Sequence, residues 1–307
     1  MLAAGEASQL DVLMPNVGIF AACAAIFSIA GQWASVRLGQ PALEILARWA
    51  RLTTFSLGVT YLAFTLQWSF AVNRPPWSLA LIVLLGCLLF ETINIWLKVR
   101  ALSYEDTPLF PKYTSNEEQD EWPTDHAHIR LREWIREQEF RQVAALRAHP
   151  FPGFCIREFY FDSKDDLTRL SVSFIPRGLD SLYVTHTATS VTKDGDRYVT
   201  DNAYLPYGGY FPGKWALDRK PLLRSPSKLL KRHRKRMEDS GKKFSPWADL
   251  PLDDVRHQHR LLEKENKDRG ILNPRPNWEE FGRFSQEGRF RMWKEILLLN
   301  YFGIVAQ

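Results

Sequence analysis

Three long stretches of this chain carry almost no charge, and that limits what its first hundred residues can become. Positions 12–36 hold no Asp, Glu, Lys or Arg, positions 52–73 hold none, and positions 77–97 hold Glu91 alone. A helix rises about 1.5 Å per residue, so about 20 apolar residues cross a hydrocarbon core of about 30 Å. Each stretch is long enough to span a bilayer. The average over the chain hides this, at a mean hydropathy of −0.27. Residues 1–100 carry 10 charges and the remaining 207 carry 65. Tryptophan placement agrees with three spans: Trp33, Trp49, Trp68, Trp77 and Trp96 fall at or near their ends, where an indole keeps its ring apolar and its N–H wet.

A cleaved signal peptide would begin with a basic segment, whereas Glu6 and Asp11 precede the first basic residue, Arg37. A second alternative lays the first stretch in the interface and leaves a two-span hairpin. Pro15 and Asn16 are expected to open the first helix, and the amphipathic segment 41–51 to extend the second. Arg37, Arg48 and Arg51 flank the first connection, Arg74 stands alone in the second, and Lys98 and Arg100 follow the third span. The positive-inside rule then puts the N-terminus outside and everything beyond Arg100 inside. Three cysteines exclude a disulfide scaffold, and the lone Cys155 of the polar part suits a reducing compartment.

Glu91 lies about 10 Å within the inner boundary, with Gln32, Thr54, Ser56 and Asn94 as candidate polar neighbours. A charge at that depth must be paired, protonated or wet. Pairing, by snorkelling toward Arg51, is favoured over an ion site, because transport needs several polar groups along a path.

Residues 101–125 read as an acidic linker of net charge −6, punctuated by Pro108, Pro111 and Pro123. Residues 126–147 read as a helix, with Leu131 and Ile135, then Phe140, Val143 and Ala144, on its inner face and a Glu137–Arg141 pair on its surface. The period then becomes two. Segments 156–161, 170–175 and 181–189 read as strands, and Asp194-Gly195 marks a two-residue hairpin turn. The aromatic, Gly/Pro-rich segment 204–215 is expected to plug the edge of the core, the alternative being a loop that dips into lipid headgroups. Helices follow at 225–241, 252–269 and 277–302. The uncharged run 296–306 is too short to span a membrane, so it must pack into the domain, on a partner or against the membrane.

The expected fold is therefore a membrane protein with an N-terminal bundle of three transmembrane α-helices in domain 1–100. A linker, 101–125, and a cytoplasmic α+β domain, 126–307, with a small antiparallel sheet and C-terminal helices, complete it. The helix at 225–241 begins a one-sided charge run: Lys228, Lys231, Arg232, Arg234, Lys235, Arg236, Lys242 and Lys243 against Glu238 and Asp239, a net +6. Its expected partners are anionic inner-leaflet lipid, other membrane protein subunits or the acidic linker. Nucleic acid is disfavoured, since the spans already hold the domain at the bilayer.

The seven histidines form two H-x-H pairs on helices, where i and i+2 diverge, and no Cys pair or carboxylate cluster accompanies them. No phosphate-binding glycine motif or G-x-S-x-G occurs. No catalytic, cofactor-binding or metal-ligating residue is therefore assigned. The expected role is a non-enzymatic integral membrane scaffold or accessory subunit of a larger complex. The alternatives are a membrane-embedded sensor or effector whose cytoplasmic domain controls the bundle, and a lipid-modifying enzyme at the inner interface.

Overall fold

The turns between apolar helices set the first part of the fold. The computed structural model describes residues 2–72, 74–105, 109–116, 121–177 and 181–305, with side chains from residue 14 onward, Val72 excepted. The chain divides into two compact units, Met1–Arg100 with Ile296–Gly303, and Ala101–Glu295 with Ile304–Gln307. Asn73, at the end of the second expected span, and the linker acids Asp106, Glu117, Glu118 and Asp120 lie outside the described residues.

In the first unit, α1 runs Leu2–Leu38 with Pro15 inside it. The proline gives up one intrahelical hydrogen bond without ending the helix, so it does not mark a start. Gly39, in the left-handed region at φ 58°, turns the chain, and Pro41 opens α2, Pro41–Thr65. α2 runs antiparallel to α1. A Cβ on Gly31 would sit 3.2 Å from the Ala47 Cβ, and one on Gly18 would sit 3.1 Å from the Tyr61 ring. Segment 41–51 does extend the second helix. The expected span 52–73 is not one helix, however, because Gln67 takes φ 50° and the chain bends before α3, Ser69–Val72. α4 is Pro76–Ser103.

Among the described residues two helices are long and apolar enough to cross a membrane, Met14–Leu38 and Pro76–Ser103. α2 does not join them. Glu44, Arg48 and Arg51 occupy its first turns and leave 14 uncharged helical residues, about 21 Å. Only 11% of each long apolar window is buried, so Ile26, Ile29, Leu85 and Phe90 face outward. Soluble proteins rarely expose contiguous apolar surface of this kind, which supports membrane association.

The second unit is an α+β domain. Its elements are β1 (Tyr113–Ser115), α5 (His126–Glu137), β2 (Arg141–Phe151), β3 (Phe154–Asp162), β4 (Arg169–Pro176), β5 (Leu182–Thr192), β6 (Arg197–Asp201), β7 (Trp215–Arg219), α6 (Pro226–Asp239), β8 (Phe244–Ser245), α7 (Pro251–Asp268), a 3-10 turn (Arg275–Asn277), α8 (Trp278–Phe281) and α9 (Gln286–Phe302). α9 ends within the first unit. Among the described residues the sheet has eight strands in the order β1 to β7, with β8 against β5. It is mixed, because β7 lies parallel to β6, and it is larger than the small antiparallel sheet expected. β1 lies inside the segment read as linker and pairs with β2.

Two expected helices are corrected. The helix at 126–147 stops at Glu137. Glu139 takes φ 58° and Arg141 onward pairs with β3, so Val143 and Ala144 belong to a strand and no Glu137–Arg141 helical pair forms. The alanine-rich strand has good helix propensity, which cross-strand pairing overrides. The helix at 277–302 is broken at Gly282, φ 75°, where Phe284 bridges to Leu272. The Asp194-Gly195 hairpin is where the sequence places it but longer than two residues. Gly195, at φ 82°, donates to the Thr192 carbonyl and Thr192 pairs with Asp196, a turn followed by a left-handed glycine.

Alternation along the strands sends Phe159, Phe161, Leu170, Val172 and Phe174 to one face, where Ile135 of α5 and Leu229 and Leu230 of α6 cover them. Trp122 seals this core edge-on against Phe159 and Phe174, ring centroids 4.8 and 4.9 Å away. His233 enters from α6, its Nε2 3.0 Å from Ser190 Oγ and its Nδ1 3.0 Å from Thr200 Oγ1. Burial pushes the imidazoles of His233 and His186 down to about 3, so both are neutral when folded. The unfolded chain takes up these protons first, near 6.5. Stability is therefore expected to fall as pH drops from about 6.5 toward 3. Thermal unfolding of the full chain in detergent, followed by near-ultraviolet dichroism between pH 7 and 4, checks this. A midpoint that does not move with pH would refute it.

Candidate functional site

The face of the sheet opposite the core is polar, and α7 roofs it. The same alternation that buries Phe159 and Phe161 turns Glu158, Tyr160 and Asp162 the other way. Register aligns them into rows across the sheet: Glu158–Ser173–Thr185, then Tyr160–Ser171–Thr187–Asp201–Arg219, then Asp162–Arg169–Thr189–Val199–Leu217. α7 supplies Asp254, Gln258, His259 and Leu262 above them, and a cavity of about 390 Å³ lies between. That volume falls in the range of small-molecule sites.

Three arginines stand in or beside this wall, each held by a carboxylate. Arg169 grips Asp162 in a bidentate pair, 2.7 and 2.9 Å, and stacks over Trp247 at 4.2 Å. Arg197 grips Asp254 of α7 at 2.9 and 2.8 Å, with Trp215 and Trp247 over its guanidinium at 5.4 and 5.3 Å. Arg219 reaches Asp201 at 2.9 and 3.2 Å. Glu158 has no such partner. Tyr113, Tyr160, Ser171 and Ser173 surround it and favour its charged form, yet burial outweighs them and raises its pKa. Burial and the neighbouring Glu158 charge push both tyrosines well above their usual value. His259 stacks on Phe110, centroids 4.9 Å apart, and burial lowers it to about 4. Gln258 donates to Asp254 at 3.1 Å, while its buried Oε1 has no partner.

The aromatic segment 204–215 forms one side wall. Asn266 of α7 holds it, donating to Tyr207 Oη and the Tyr210 carbonyl at 2.9 Å each and accepting from the Tyr210 N–H at 2.7 Å. Glu295 accepts from the Tyr207 and Gly208 N–H groups at 3.0 and 2.5 Å. Gly208, at φ 67°, lies so close to Met292 that a Cβ would sit 2.9 Å from its Cα, so no other residue fits. Phe211 and Trp215, stacked 5.7 Å apart, face the cavity. The rings pack within the domain.

The eight basic candidates fall into two groups. Arg232 pairs with Asp218, Lys242 with Asp196 at 2.6 Å, and Arg236 donates to the Val199 and Ala216 carbonyls at 2.8 and 2.7 Å. Lys228, Lys231, Arg234, Lys235 and Lys243 are exposed. Of the five polar candidates in the N-terminal helices, Glu91 alone gathers a cluster. Arg51 Nη2 lies 2.8 Å and Arg48 Nη1 3.8 Å from its carboxylate, and Tyr301 Oη donates to it. Trp49 Nε1 donates to the Tyr301 carbonyl at 3.0 Å. The uncharged C-terminal run thus packs on these helices through Tyr301. Thr54 and Asn94 bond back to Ala50 and Phe90 on their own helices, Ser56 reaches the Ala80 carbonyl at 2.6 Å, and Gln32 is exposed.

Sequence reading missed the cavity residues. Glu158 and Tyr160 alternate with Phe159 and Phe161, as residues of a solvated face do, and Asp201 and Arg219 stand among polar neighbours. The one signal available was charge complementarity between successive strands, Asp162 with Arg169 and Asp201 with Arg219. Among the described residues no group of three or more His, Cys, Asp or Glu is placed to hold a metal ion. Burial raises the Cys155 thiol, which leaves it protonated rather than activated.

The Arg197–Asp254 pair ties α7 to the sheet. Asp254→Asn should leave a buried guanidinium uncompensated and destabilise the domain by about 3–5 kcal/mol. Adding Arg197→Met to Asp254→Leu should recover most of the loss, as denaturant unfolding of the full chain would report. Comparison with protein-family models, with curated proteins and with solved structures found no match.

Proposed function

We propose that this chain is a membrane-anchored protein whose cytoplasmic α+β domain binds a small ligand, a sensor or effector rather than an enzyme. The observation that carries the reading is the roofed cavity of about 390 Å³ between the polar sheet face and α7. Its volume lies in the range of small-molecule sites, and polar side chains of the sheet meet those of α7 around it. The wall holds side chains in hydrogen-bonded, ion-paired positions, which is the preorganisation a binding site requires. It has no activated nucleophile.

Membrane anchoring is supported by the outward-facing apolar rows of α1 and α4. In this reading α2 returns alongside α1, with Arg48 and Arg51 at the inner boundary, and the chain passes three times. The basic flanks then place the N-terminus outside and the α+β domain in the cytoplasm. An impermeant maleimide should label a Lys243→Cys variant, made in a chain without its native cysteines, only after sealed cells are opened. Labelling in intact cells would overturn the orientation.

Ligand binding is tested on the full chain in nanodiscs by thermal shift against a small-molecule library. Compounds that raise the unfolding midpoint of the native chain should have no effect on a Thr187→Phe variant, whose ring fills the cavity. A library that leaves the native chain unmoved would sink the reading. A second reading, accessory subunit of a membrane complex, is favoured by the exposed cations Lys228, Lys231, Arg234, Lys235 and Lys243. Anionic inner-leaflet lipid or an acidic subunit would meet them. The two readings are compatible, since α6 covers the core face of the sheet and the cavity lies on the other.

A further inference from the structure

The wall of the cavity restricts the charge of what it can hold, an inference that rests on the ligand-binding reading. Each guanidinium at the wall already has its own carboxylate: Arg169 with Asp162, Arg197 with Asp254, Arg219 with Asp201. An anionic ligand would compete with one of these aspartates, and a cationic ligand with one of the arginines. Either would strand a buried charge, which is strongly unfavourable. Glu158 has no ion-pair partner among the described residues, and burial raises its pKa, so the cavity disfavours the charged carboxylate that an amine would need.

What remains for a ligand is neutral. β5 presents the hydroxyls of Thr185, Thr187 and Thr189 on every second residue, each able to donate and accept. Gln258 of α7 also lines the wall, and an amide can donate and accept. Phe211 and Trp215 supply an aromatic flank, against which a ring can lie. We infer that the cavity takes an uncharged ring compound bearing several hydroxyl or amide groups, of the chemical class of a monosaccharide or a nucleoside. Gln258 and Thr187 would contact it directly.

The test compares matched compounds that differ only in charge. Glucose, glucosamine and glucuronate form one set, and uridine with uridine monophosphate a second. A library of neutral and charged hydroxylated rings widens it. Binding is read by saturation-transfer NMR and calorimetry on the full chain in nanodiscs. Neutral members are expected to bind at least tenfold more tightly than their charged counterparts. Gln258→Leu and, independently, Thr187→Val should each weaken that binding at least tenfold, with the ligand-free unfolding midpoint held as the control for folding. Tighter binding of the charged members would overturn the inference and leave the ligand-binding reading standing. So would neutral binding that neither substitution weakens. Binding by no compound of either kind would overturn both.

Discussion

The α+β domain depends on a sheet that must serve two interiors at once. On one face Phe159, Leu170, Val172 and Phe174 form a core under α5 and α6. On the other, residues of opposite parity, polar and apolar, face a cavity under α7. Because side chains alternate with a period of two, a one-residue slip would send phenylalanines into the polar space and charged groups into the core. Register is therefore doubly specified. The strands that carry both patterns, β3 and β4, lie in the middle of the sheet.

Paired charges make the second interior tolerable. Buried ions are costly unless matched and hydrogen-bonded. Here each of the three arginines meets an aspartate through two short contacts, and tryptophan rings cover the guanidiniums of Arg169 and Arg197. The pairs also fasten structure, with Arg169–Asp162 joining β4 to β3. Arg197–Asp254 joins β6 to α7, and Arg219–Asp201 joins β7 to β6 beside the aromatic segment. The same pairing that lets the cavity exist leaves Arg169, Arg197 and Arg219 without a free charge to offer.

The helical unit solves a related problem with fewer groups. Glu91, surrounded by apolar residues of α4, is matched by Arg51 and Arg48 of α2 and by the Tyr301 hydroxyl. The Trp49 indole bonds to the Tyr301 carbonyl, and its ring meets that of Tyr301 edge-on at 5.5 Å. The C-terminal segment is thereby fixed to helices more than two hundred residues earlier in the chain.

Much of this was legible in the residues. Charge-free runs located α1 and α4. Strict alternation located β3, β4 and β5, and Ser225, Pro226 and Gly241 bounded α6. Such signals are local, because helix and strand periods and caps act over a few residues. The end of α5 at Glu137, the pairing of 141–151 as β2, and the break at Gly282 were decided by partners remote in sequence. The cavity was decided the same way. Alternating Glu158, Tyr160, Ser171 and Thr187 denotes a polar face in any sequence. Whether that face meets water or a roof depended on α7 folding back across it through Asp254, a contact 57 residues from Arg197 that no local period encodes.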